Sequence, residues 1–138
     1  MTQEELKELL LKDLCSRLNT KLVCSIYRED DQGVGYRDEI LHGYCKGDIW
    51  YEFYFGEDCG IGIDDVSKIK PYLFPFSSMT EEEKEEYCQL QQRIIYNSKG
   101  VVNEDVTKYI NYCYKKHLDI NNLIPMGLAI DATGLNIY

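Results

Sequence analysis

The chain has 138 residues, and its 15 Lys and Arg against 24 Asp and Glu leave a net charge of −9 at pH 7. Hydrophobic residues at 44% and charged residues at 28% exclude a disordered or fibrous chain, and area scaling, about 7,400 Å² folded against about 23,000 Å² unfolded, leaves room for one core in a single domain, residues 1–138. The acidic balance argues against nucleic acid as the main partner, because that affinity comes from neutralising phosphates with Lys and Arg.

Thr2 to Leu18 reads as a helix. Thr2 and Glu5 form a capping box, and Leu6, Leu10, Leu14 and Leu18 fall on one face, widened by Leu9, Leu11 and Cys15. Arg17 stands at the negative end of the dipole, and Asn19 is a helix stop. Lys21 to Arg28 alternates as a strand, broken by the polar loop Glu29-Asp30-Asp31-Gln32-Gly33. Asp38–Cys45 and Ile49–Phe55 are the next strands, around Lys46-Gly47. A two-residue loop there pairs Ile40 with Phe53, His42 with Tyr51 and Tyr44 with Ile49. It leaves Glu39, Leu41, Gly43, Trp50, Glu52 and Tyr54 on the other face. Ile61 and Ile63 suit a short fourth strand. Asp64–Ile69 suits one helical turn closed by Pro71, and Pro71–Ser78 an irregular apolar crossing. Thr80–Tyr96 is a second helix with the Thr80–Glu83 capping box and a Tyr87, Leu90, Ile94 stripe. Asn103 caps a third helix running through His117, which suits a last-turn cation. The tail, ending Leu135-Asn136-Ile137-Tyr138, is apolar enough to dock, with the leucine face of the first helix as the expected receiving surface.

A helix, a run of strands and two further helices indicate an α+β fold: N-terminal helix, antiparallel meander of three to four strands, two C-terminal helices and an ordered apolar tail. No apolar run is long enough to span a bilayer, so no membrane role is expected. The acidic start Met1-Thr2-Gln3-Glu4-Glu5 lacks the order of a signal peptide. The cysteines at 15, 24, 45, 59, 88 and 113 have no zinc-knuckle spacing. Together these indicate a cytoplasmic protein with free thiols, and Cys15, Cys24, Cys88 and Cys113 are expected in the core.

Three stretches carry a resemblance: Leu9-Leu10-Leu11-Lys12-Asp13-Leu14-Cys15, Lys70-Pro71-Tyr72-Leu73-Phe74-Pro75-Phe76-Ser77-Ser78-Met79-Thr80-Glu81-Glu82, and Leu123-Ile124-Pro125-Met126-Gly127-Leu128-Ala129-Ile130. The chain resembles a family of small uncharacterised proteins common in gut Bacteroidetes genomes, their phages and mobile elements. That resemblance implies an accessory role in a bacterial or viral cytoplasm. It transfers no activity, cofactor or functional residue.

The candidate chemistry is sparse. His42 and Cys45 point to opposite faces of a regular strand, so a half-buried, locally bonded histidine is the plainer reading. No nucleophile signature surrounds any Cys or Ser, no carboxylate cluster matches a calcium loop, and Gly60-x-Gly62 lacks the lysine of a phosphate loop. The chain therefore reads away from an enzyme and calls for no cofactor or metal. Tyrosine, at 12 residues, is the unusual feature, and Tyr is enriched at interfaces. Trp50, Glu52 and Tyr54 share a strand face that is either covered by helices or serves as a binding surface. Two functions follow. The first is a non-enzymatic module binding a protein partner through aromatic and acidic surface, with no deep pocket. The second is a small-ligand protein, for a nucleotide signal, in phage anti-defence. There Arg28 and Arg37 are the best cations, and a Tyr-lined pocket holding either would favour it.

Overall fold

The computed structural model describes residues 1–30, 33–46, 51–55, 60–95 and 103–138. Helix α1 (Gln3–Ser16) starts where its capping box dictates: Thr2 Oγ1 accepts from the Glu5 N–H at 3.2 Å, and Glu5 Oε2 accepts from the Thr2 N–H at 2.6 Å. The same box opens α2 (Glu81–Ile95), between Thr80 and Glu83. Helix α3 spans Asn103–Lys115. The fold class is α+β, with one helix before the strands and two after them.

The strands form two sheets among the described residues. Strands β3 (Gly43–Lys46), β4 (Tyr51–Tyr54) and β5 (Gly60–Gly62) make an antiparallel meander. Strands β1 (Val23–Asp30), β2 (Gly33–Ile40), β6 (Ile69–Leu73) and β7 (Ile130–Asp131) form a mixed sheet in the order β2-β1-β6-β7. Several expectations change. The strand expected over Asp38–Cys45 is divided at Leu41–His42, where the chain leaves one sheet for the other. Tyr44 pairs with Phe53, not Ile49, a shift of four residues from the two-residue hairpin. Because the shift is even, the faces survive: Tyr44 and Phe53 stack with ring centroids 4.8 Å apart. Lys46, expected in the turn, is instead the last residue of β3, paired with Tyr51, and residues 47–50 lie outside the described residues.

Pro71 ends nothing. It stands inside β6, opposite Cys24. The Leu41 N–H donates to the Leu22 carbonyl at 2.8 Å, one step beyond the Val23–Ile40 pair. Hydrogen-bonded and open pairs alternate in an antiparallel ladder. Cys24 therefore directs its backbone groups to β2, and Pro71 faces it where no N–H is needed.

The main core lies between the two sheets and α1, with Leu10, Leu14, Leu22, Ile26, Phe53, Phe55 and Ile69 among its buried members. A second cluster joins α2 and α3 to the chain before them, around Met79, Cys113 and Leu118. Between the two clusters lies a pair the dipole reading missed. Arg17 and Asp13 are 0% exposed and joined at 2.8 Å. Arg17 also donates to the Leu118 carbonyl, and Asn121 donates to Asp13. Of the four cysteines expected inside, Cys24 and Cys113 are buried, while Cys15 and Cys88 are exposed.

His117 is not a helix-capping cation. It is buried, in a left-handed backbone turn after α3, and stacked on Tyr138 at 3.7 Å between ring centroids. Burial, reinforced by Arg17, lowers its pKa to about 4, so the ring is neutral at pH 7. The tail docks, but by a different route from the expected one. The Tyr138 hydroxyl accepts from the Val23 N–H at 3.0 Å and donates to the Tyr72 carbonyl at 2.8 Å, bridging β1 and β6 just past the Cys24–Pro71 pair.

Candidate functional site

Strand β1 alternates its side chains between two environments. Cys24 and Ile26 face the core, and Arg28 follows them on that face. Ser25, Tyr27 and Glu29 lie on the opposite face, where Ser25 is buried and Tyr27 and Glu29 reach the surface. The register carries the division to β2, where Gly35, Arg37 and Glu39 lie opposite the inward residues and Val34, Tyr36, Asp38 and Ile40 opposite the outward ones. On β2 that outward row is exposed: Val34 70%, Tyr36 66% and Ile40 42%. They share one face of β2 with exposed Asp38, which stands between Tyr36 and Ile40, and β2 ends the sheet among the described residues.

The surface around this row is aromatic and acidic. The Tyr27 and Tyr36 rings meet edge to face at 5.3 Å. The Tyr27 hydroxyl donates to Glu29 at 3.0 Å, and the Tyr72 hydroxyl reaches from β6 to Asp38 at 2.7 Å. Both phenols have raised pKa values, Tyr27 chiefly through its bond to Glu29 and Tyr72 through burial and then Asp38. They are therefore hydroxyl donors at neutral pH, and they hold the two carboxylates in fixed positions.

The residues expected to act divide between this sheet and the other. Arg28 binds Glu39 at 2.7 Å, and its Nε is buried with no hydrogen-bond partner. It lines a cleft of about 260 Å³ with Tyr27, Glu29, Glu52, Gly60, Ile61, Gly62, Asp65 and Lys68. The cleft thus brings together Arg28 and Glu52. Tyr54 stands beside it on β4, its hydroxyl 3.3 Å from Glu52 Oε2. Arg37 lies opposite Ile26 on β2 and does not line the cleft. Trp50 lies outside the described residues. Gly60 leaves room for the Glu52 carboxylate: a Cβ there would come within 2.6 Å of Glu52 Oε2 and push that carboxylate aside.

His42 is exposed rather than half-buried, with its backbone N–H donating to Tyr54. Among the described residues, no three His, Cys, Asp or Glu side chains are grouped to hold a metal ion, and no helix is long and apolar enough to cross a membrane. The sequence reading missed Val34, Tyr36 and Ile40. Their period-two spacing was the available signal, but the sequence reading ends the polar loop at Gly33 and begins the next strand at Asp38, so Val34 and Tyr36 fall outside it and Ile40 goes to the hairpin with Phe53. No protein-family model, curated protein or solved structure matches this chain.

Proposed function

We propose that the chain is a non-enzymatic protein-binding module, whose partner is met by the outward face of the first sheet at β2. The observation that carries this reading is the exposed row Val34, Tyr36 and Ile40 beside Glu29 and Asp38. Val34 and Tyr36 are neighbours on this face, with Ile40 beyond Asp38, and exposed apolar groups rimmed by polar ones mark interaction sites. Tyr36, and the part of Tyr27 that reaches the surface, add large, stiff contact area at low entropic cost. The setting we propose is that of the resemblance: an accessory protein in the cytoplasm of a bacterium, acting for it, a phage or a mobile element. The test is affinity capture from the encoding cell with the full chain and with Val34→Lys/Tyr36→Lys, read by quantitative mass spectrometry. The reading expects partners enriched by the parent and lost from the variant. Equal recovery by both would sink it.

A second reading, a small-ligand protein, is favoured by the cleft beside Tyr27 and Arg28. It is weaker because Glu39 already engages Arg28 and three carboxylates, Glu29, Glu52 and Asp65, line the same space. A nucleotide phosphate entering there would meet net negative charge. Native mass spectrometry with a nucleotide panel separates the readings. A bound nucleotide displaced by Arg28→Ala would favour the cleft.

A further inference from the structure

We propose, building on the protein-binding reading above, that the partner docks by strand addition. An extended segment, apolar at every second position and bearing Lys or Arg, pairs its backbone with the open edge of β2. The ladder fixes which groups are available. Leu41 bonds to Leu22, and the pairs alternate from there. Gly35, Arg37 and Glu39 therefore direct their N–H and C=O to β1. Val34, Tyr36, Asp38 and Ile40 direct theirs away from it, and among the described residues no strand lies on that side.

Natural sheet edges are blunted by Pro, Lys, bulges, short length or inward-pointing charges. Of these β2 has only the last, at Arg37 and Glu39, with Glu39 engaged by Arg28. Gly33–Ile40 contains no Pro and no Lys and pairs with β1 without a bulge over its eight residues. Its first half is bare on the inward side. Gly33 and Gly35 have φ of +124° and +152°, and a Cβ at either would meet nothing within 4 Å. Among the described residues an incoming backbone meets no strand along this edge, with Val34, Tyr36 and Ile40 flanking it on one face. In strand addition the backbone gives affinity and alternate side chains give selectivity. Charge selects the occupant. Glu29 and Asp38 stand on that face of a chain carrying −9, which repels a second copy and attracts a basic segment.

The test selects a displayed library of short linear peptides on the full chain. Enriched peptides are then measured by fluorescence anisotropy against the parent, Tyr36→Ala and Tyr36→Pro. Pro at position 36 removes an outward N–H and leaves the β1 ladder intact, whereas Ala removes only the side chain. We expect period-two apolar sequences with Lys or Arg over Asp or Glu, and binding at least about tenfold weaker to Tyr36→Pro than to Tyr36→Ala. If Tyr36→Pro does not melt cooperatively, peptides N-methylated on alternate amides test the same bond on the parent, and one phase of methylation should abolish binding. Peptides that bind Tyr36→Pro as well as Tyr36→Ala, or that tolerate both methylation phases, overturn strand addition. So does a dimer in sedimentation that Tyr36→Pro dissolves, since the occupant is then a second copy. If Val34→Lys/Tyr36→Lys still abolishes partner capture in either case, the face survives and only the mode is wrong.

Discussion

Arg17 and Asp13 show how little of a buried pair is visible in its spacing. The i, i+4 relation and its place beside Leu10 and Leu14 are plain in the sequence. The Leu118 carbonyl and Asn121, which complete the site, come from the far end of the chain. With both side chains fully buried, removing one partner leaves the other charged and unpaired. Arg17→Ala should lose about 3–5 kcal/mol in chemical denaturation, and a loss under about 1 kcal/mol, typical of a surface pair, would show that the pair is solvated. His117 carries a pH signature. Its folded pKa, about 4, lies below an unfolded value of about 6.5. The unfolded state therefore binds the proton first as pH falls. Stability from this group is complete above about 6.5 and declines toward 4. Thermal melts from pH 7 to 5 should show that decline in the parent and a shallower one in His117→Asn, a residue that tolerates the left-handed backbone. Parallel slopes would place the titration elsewhere.

Elements with strong local signals were legible, and those defined by distant partners were not. Both capping boxes stand where the sequence puts them, because Thr-x-x-Glu satisfies its own backbone donors locally. Strand β6 was obscured by Pro71, whose position on the ladder depends on Cys24, far away in sequence. Strand β2 was obscured in its first half, which falls between the loop ending at Gly33 and the strand expected from Asp38. The tail's docking was expected from its apolarity, but its seat was not, since a gap between β1 and β6 leaves no trace in the tail's sequence. The Tyr138 hydroxyl fills that gap. Tyr138→Phe should leave the Val23 N–H and Tyr72 C=O without it, lowering stability by about 1–3 kcal/mol. An unchanged denaturation midpoint would mean the two strands close on each other directly.

At the scale of the whole molecule, the main core lies between two sheets and a helix, and the described residues leave the outward row of β2 exposed. The expectation of aromatic and acidic surface was legible in the tyrosine count and the charge, yet its location was not. The sequence pointed to the Trp50, Glu52 and Tyr54 face. In the structure Glu52 lines the cleft, and the exposed apolar row is on β2 instead. Placement depended on which strand ends the sheet, a property of the assembled topology rather than of any segment. The binding account therefore turns on whether the β2 edge is open in solution. Amide hydrogen exchange of the free chain, resolved by NMR, reads this residue by residue. The account predicts alternation: slow exchange at Gly35, Arg37 and Glu39, which bond to β1, and fast exchange at Val34, Tyr36, Asp38 and Ile40. Slow exchange at all of them would mean that something already covers the edge, and fast exchange at all would mean that β2 is not held against β1; either result contradicts the account.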